Sequence, residues 1–250
     1  MNVTLLGSGE MTGVPPMFTD LESIGAERRR RRPGLLVETA AATVMLDVSP
    51  DVREQVLEAE IDTLDAAFVT HFHHDHVGGI DDLGLLVPHV GTDVRMTETA
   101  VEHLRNEREY LLDDIGVETV RHGDRVTVGD LTVVPFPVAH GRPEFDTVGF
   151  AVYHEGTKVV YAPDVERFCP DRPAGTEYRD ADILFVEGSP ILREDLYDEI
   201  DFVKMVAEAE ADRTILVHIN EFFDGPTATM ADAAEEQGFE LGRDFETYLG

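Results

Sequence analysis

Residues 68–83 read FVTHFHHDHVGGIDDL, so that four histidines and an aspartate fall within six residues directly after an apolar run. In extended backbone alternate side chains point to the same side, so His71 and His73 can reach one cation. Asp75 and His76 follow where the chain must turn, and Gly78 and Gly79 supply the backbone freedom for that turn. Adjacent residues of such a turn converge on a second point close by. Imidazole and carboxylate together suit zinc, manganese or iron, whereas a soft metal would call for thiolates. His74 is expected to point away, supporting a ligand or facing solvent. The competing reading, a solvated loop that is merely rich in histidine, leaves unexplained why a strand, an H-x-H-x-D-H spacing and two glycines coincide. Divalent cations that share a water lower its pKa to about 7, which provides a nucleophile at neutral pH without serine or cysteine. The chemistry to expect is metal-assisted hydrolysis.

The elements that would position this loop are visible as short β-rich runs: VTLL, GLLVET, TVMLDV, AAFVT, LTVVPFPVA, TVGFAVYH, KVVYAPD, DILFVEG and RTILVH. Helical patterns lie at Asp51–Ala59, Glu98–Leu112, Glu194–Ala211 and Thr229–Gln237. Strands come in bunches rather than in a regular βαβ alternation, which predicts a mixed α/β chain with sheet packed on sheet and helices outside. No Pro, Gly or Ser linker divides the 250 residues, so residues 1–250 are read as one domain. The apolar runs are too short to span a bilayer. The start, MNVTLLGSGE, lacks the basic and apolar regions of a secretory signal. Cys169 is the only cysteine, which excludes an intramolecular disulfide framework and a cysteine zinc cage. A cytoplasmic location without membrane attachment is the resulting expectation.

The chain carries 51 acids against 20 bases, a net charge of −31, and only Lys158 and Lys204 among the bases are lysines. Self-repulsion of that size destabilises a compact state at low salt and is screened at high salt. The balance resembles the proteins of salt-accumulating archaea and is read as solvent adaptation, the alternative being an acidic surface for a basic partner. Against this background Arg28–Arg32 form a run of five arginines. The run is read either as a loop that offsets nearby acids or as one that faces phosphate or nucleic acid.

The H-x-H-x-D-H spacing, with the glycine pair after His76, resembles the metallo-β-lactamase fold superfamily. The resemblance implies a four-layer αββα sandwich of two mixed β-sheets with helices outside, and a two-metal site at the edge between the sheets. It extends to His140 in PVAHG, Asp164 in VVYAPDV and His218 in TILVHIN. Taken singly, each of these would pass for a surface histidine or a turn former. The resemblance assigns His71, His73 and His140 to one metal, Asp75, His76 and His218 to the other, and places Asp164 between them. Zinc or manganese is the implied pair of divalent ions. His89, His103, His122 and His154 match no motif and are read as structural or exposed.

Residues 1–83, 131–165 and 213–221 are similar to the branch that holds phosphoribosyl cyclic phosphodiesterases, with coenzyme-PQQ accessory proteins and tRNA 3′-processing endonucleases as near relatives. In that branch a Gly-x-Gly turn, here Gly7–Gly9, sits beside the metals, and Asp47 in MLDVSP is placed to support a ligand or to cap a turn. There are departures. No cysteine follows the N-terminal turn, and Glu221 stands where some members carry a further zinc ligand, so an extra structural zinc is not expected. A histidine that assists catalysis in the branch has no counterpart in LREDLYDEIDF, which offers Asp195, Asp198, Glu199 and Asp201. The general acid is therefore unassigned. The expected function is a binuclear hydrolase acting on a small or cyclic phosphodiester, with Asp75 and Asp164 catalytic through a hydroxide shared by the metals. The alternatives are an endoribonuclease of the tRNA 3′-processing type and a metal-binding scaffold without turnover. A homodimer is implied by analogy alone.

Overall fold

In the computed structural model, residues 1–20, 24–25, 28–84, 92–112, 115–193, 196–197 and 200–249 are described. The first sheet is built from β1 (Asn2–Gly7), β2 (Gly34–Glu38), β3 (Thr43–Leu46), β4 (Ala66–Phe68), β5 (Asp93–Met96), β6 (Val117–Thr119) and the last strand, β15 (Thr247–Leu249). Their spatial order is β15-β1-β2-β3-β4-β5-β6. Strands β1 to β3 pair antiparallel, and β3 to β6 continue in parallel. The second sheet comprises β7 (Val126–Val128), β8 (Leu131–Ala139), β9 (Val148–His154), β10 (Thr157–Ala162), β11 (Arg167–Phe168), β12 (Ile183–Glu187), β13 (Arg213–Val217) and β14 (Glu240–Leu241). It runs β11-β8-β9-β10-β12-β13-β14, with β7 paired to β8. The helices are α1 (Val52–Glu58), α2 (His74–Val77), α3 (Glu98–Leu112), α4 (Phe202–Ala207) and α5 (Thr227–Glu236).

The strand runs are apolar at consecutive positions because both faces of each sheet are covered. Leu35, Val37, Val44, Leu46, Ala66 and Phe68 point between the sheets, where they meet Val133, Phe150, Val152, Tyr161, Phe185 and Ile215. The alternate residues Leu36, Met45 and Ala67 point outward against Val52, Ala100, Val101 and Leu104 of α1 and α3. On the far side Leu184, Val186 and Leu216 pack against Phe202, Val206 and Ala234 of α4 and α5. Two mixed sheets face to face with helices on both outer faces form the expected αββα layering. Phe68 meets Phe150 across the sheets edge to face, at 5.5 Å and 67°. Burying such a ring is worth about 2–3 kcal/mol, and Phe68 closes the strand immediately before the histidine run.

Three element predictions need correction. Strand pairing ends at Phe68, not at Thr70, because the Thr70 amide donates to the Asp47 side chain instead of a neighbouring strand. His71 and His73 consequently stand on the loop after the strand. The pattern over Glu194–Ala211 yields a helix only at Phe202–Ala207, since the Asp201 side chain accepts the Lys204 amide and caps the start there. Its Glu194, Asp195, Asp198 and Glu199 lie outside the described residues. The last helix begins at Thr227, right after Pro226. Residues 80–84 are helical. No helix among the described residues is long and apolar enough to cross a membrane.

Candidate metal centre

Each strand that feeds the site stops one or two residues short of it. His140 follows β8, Asp164 follows β10 across Pro163, and His218 follows β13. Three carboxyl-terminal strand ends thus point at the loop after β4, where His73 opens α2 and α2 carries Asp75 and His76. Close backbone approach makes that placement: the His76 carbonyl accepts the Val48 amide, the Val48 carbonyl accepts the Gly79 amide, and a Cβ at Gly79 would lie 2.0 Å from the Ser49 carbonyl oxygen. Only glycine fits there. Asp47 and His218 both take left-handed backbone, at φ 64° and 56°. Such conformations cost free energy and are held here by their surroundings. Gly9 pairs with Ile219, directly after His218, so the first turn of the chain clamps the last strand end.

The structure brings all seven predicted side chains together in two sets. His71, His73, His140 and Asp164 can surround one point, and Asp75, His76, Asp164 and His218 a second. Asp164 belongs to both. Its Oδ2 lies 3.4 Å from His71 Nε2, 3.4 Å from His140 Nε2 and 3.1 Å from His76 Nε2, while its Oδ1 lies 3.2 Å from His218 Nδ1. Asp75 Oδ2 sits 3.2 Å from His76 Nε2 and 3.1 Å from His218 Nε2. His73 Nδ1 and His140 Nε2 face one another at 3.3 Å. His71 Nε2 and His76 Nε2 are buried and lack a hydrogen-bond partner. Buried polar atoms without partners are costly, and nitrogen lone pairs aimed at a common point are relieved by a cation. This donor set of imidazole and carboxylate suits divalent metal. His74 is exposed, as expected.

Behind these residues lies Asp47, completely buried. It accepts the Nδ1 proton of His76 at 2.7 Å as well as the amide and hydroxyl of Thr70, and Thr70 in turn touches His71 Nδ1 at 3.0 Å. Held this way, both rings turn Nε2 toward the cluster. Electrostatics follows from the crowding. Burial lowers His71, and the charge of His76 adds to it. Burial also opposes charge on His76 and His218, but Asp75 and Asp47 raise the first, and Asp164 with Asp75 carries the second to about 9. Asp75 is drawn well below the carboxylate range: burial works against this, and the charge of His76 with a hydrogen bond from His218 prevails. Metal would therefore have to displace protons from His76 and His218.

Two further groups face the same cavity, and both were absent from the sequence-derived set. Glu187, at the end of β12, is buried and accepts the Tyr197 hydroxyl at 2.8 Å on each oxygen, along with the Val165 amide at 3.1 Å. Burial first, and the charge of Asp164 second, raise its carboxyl to about 8. A charged residue closing the otherwise apolar run DILFVEG was the available signal. Because the folded value exceeds the unfolded one, metal-free protein loses stability as pH climbs from 4.5 to 8. Glu187→Gln lacks that loss. In urea melts with chelator present, the variant should gain roughly 2 kcal/mol on the natural protein between pH 4.5 and 8.5. An unchanged difference would show that Glu187 titrates normally.

The unmatched histidines have local roles. His103 stacks on Phe72 at 3.7 Å, His122 pairs with Asp146 and His154 with Asp130, while His89 lies outside the described residues. The arginine run is used internally. Arg28 binds Glu221, Arg30 is buried against Ser8 and the Gly242 carbonyl, Arg31 pairs with Glu58, and Arg32 pairs with Asp51. Four of the five arginines thus tie the N-terminal turn to the rest of the molecule, the charge-offsetting reading of this run.

Residues 42–219 match the family model of the beta-lactamase superfamily domain, and the chain belongs to that family. The fold is the metallo-β-lactamase fold. An octanoyltransferase of Porphyromonas gingivalis is 36% identical over 154 residues, covering 57% of this chain and 31% of that protein. A ribonuclease Z of Methanopyrus kandleri is 30% identical over 134 residues, covering 47% of this chain and 43% of that protein. The chain therefore spans less than half the length of these two relatives. Among solved structures, a diphosphatase from the PhnP family superposes with a TM-score of 0.77 at 25% identity, over 100% of this chain and 97% of that one.

Proposed function

We propose that this chain is a binuclear metal-dependent phosphodiesterase acting on a small or cyclic phosphodiester. The observation that carries the reading is the pair of donor sets that share the buried carboxylate of Asp164. The likeness to a diphosphatase over nearly the whole length of both chains supports phosphate chemistry. His71, His73 and His140 would hold one divalent cation and Asp75, His76 and His218 the other, with Asp164 common to both. When bound, such a pair supplies Lewis acidity and a water of lowered pKa. Asp75, one of the carboxylates that would hold the second cation, would also accept a hydrogen bond that orients that water. Tyr197, hydrogen-bonded to Glu187 in the same cavity, would turn its hydroxyl as a hydrogen-bond donor to the leaving oxygen rather than give up its proton. The acidic surface is assigned to adaptation to concentrated salt.

Turnover of bis(p-nitrophenyl) phosphate in concentrated KCl tests the reading. Activity should vanish after chelation and return as zinc or manganese refills both sites. Activity that survives chelation would reject it. Two bound metals with no turnover would favour a scaffold. Endoribonuclease activity is the second reading, favoured by the 30% identity to ribonuclease Z. Arg28, Arg30, Arg31 and Arg32 lend it little, since carboxylates and carbonyls of the protein already engage them.

A further inference from the structure

The cavity over the two donor sets measures about 320 Å³. That is the small end of ligand sites, so a phosphodiester that fills it meets each of its walls. Five carboxyl groups line it, those of Glu10, Asp75, Asp164, Glu187 and Asp224. Such a lining repels an anionic ester, and repels still more the charge that builds on a leaving oxygen. Among the described residues a single arginine and no lysine stands against it, Arg193.

Arg193 follows the short turn Ser189–Ile191 at the exit of β12, and its amide donates to the Pro190 carbonyl. Its Nη1 lies 3.6 Å from Asp224 Oδ1, too far for a hydrogen bond. Among the described residues nothing hydrogen-bonds the guanidinium. The buried Asp224 has partners of its own, since Oδ2 accepts the Ser189 hydroxyl at 2.8 Å and the Asn220 amide at 2.7 Å. Ser189 Oγ also stands 3.1 Å from the carbonyl of His218, so Asp224 holds the guanidinium on the side of a predicted metal ligand. A partly exposed ion pair of this length adds little stability. The N–H donors of Arg193 therefore stay available at the cavity.

Tyr197 lines the same cavity and borders a neighbouring hollow together with Arg193. Burial first, and the charge of Glu187 second, hold its phenol well above the usual range. It offers a hydrogen bond and keeps its proton. A leaving oxygen at this wall departs as an anion and needs a positive charge beside it.

We propose that Arg193 is a catalytic residue whose guanidinium meets the negative charge on the leaving oxygen. The inference rests on the phosphodiesterase reading. The attacking water loses one proton to solvent and its oxygen bonds to phosphorus. The bond from phosphorus to the leaving oxygen breaks, and its electron pair stays on that oxygen. Arg193 donates N–H hydrogen bonds to it without giving up a proton, and solvent then protonates the product alcohol.

Methyl aryl phosphates, with leaving groups from p-nitrophenol to unsubstituted phenol, test this in the metal-loaded protein. Phenolate is the more basic leaving group and depends more on the cation. Arg193→Gln should lower kcat for the phenyl ester by about 10²–10³-fold and for the p-nitrophenyl ester by about tenfold or less. KM, metal content and the urea midpoint should stay near those of the natural protein. Arg193→Lys, which keeps a charge without the planar fork, should narrow the gap between the esters. An equal loss on both esters, or no loss on either, would overturn the role of Arg193 and leave the phosphodiesterase reading standing. Absence of turnover on every ester by the natural protein, with two metals bound, would reject that reading and the role of Arg193 together.

Discussion

Asp164→Ala should lower the turnover of bis(p-nitrophenyl) phosphate by about 10³-fold or more, at least about 4 kcal/mol of transition-state stabilisation. Among the described residues no other side chain joins both donor sets. Its two oxygens divide between them, Oδ2 toward His71, His140 and His76 and Oδ1 toward His218. Alanine would leave two imidazole sets with nothing in common and a hole where a buried charge had been. Folding has to be matched before the comparison is fair, since removing a buried charge also unbalances the histidines it faces. Near-ultraviolet circular dichroism and the urea midpoint supply that control. Metal content should fall below two per chain. A folded variant that retains both metals and more than about a tenth of the natural turnover would show that Asp164 neither bridges nor matters to the chemistry.

The second large effect is expected at a residue that touches no metal. Asp47→Ala should weaken metal affinity by about 10–100-fold, read by competition with a coloured chelator. Asp47 accepts His76 Nδ1, the Thr70 amide and the Thr70 hydroxyl, and all three are buried. Alanine would strand them at a cost of about 2–4 kcal/mol, visible as a lower urea midpoint. Asp47→Asn separates the two consequences. Asparagine tolerates the left-handed φ of 64° at this position and can still accept the Thr70 amide, so most stability should return. Without the carboxylate charge, His76 loses the partner that fixes its tautomer, and affinity should stay low. Full affinity in both variants would show that the tautomer of His76 is held by something else.

The seven candidate ligands were named from motif and resemblance, and the structure groups those same residues. Their legibility has a physical basis: each stands at the abrupt end of an apolar run, in THFHHDH, PVAH, YAPD and LVH, where β-propensity gives way to polar side chains. The αββα layering was legible for the same reason, because runs apolar at every position announce sheets covered on both faces. Other features depend on approach through space. Glu187 and Tyr197 are ten residues apart and become a pair only where the Tyr197 hydroxyl returns to the end of β12. The five arginines at 28–32 looked like a patch for a partner. Tertiary packing sends Arg28 to Glu221 and Arg30 to Gly242, nearly the whole chain away. Local chemistry is written in neighbouring residues. Which distant charges neutralise one another is decided by how the loops that carry them pack together.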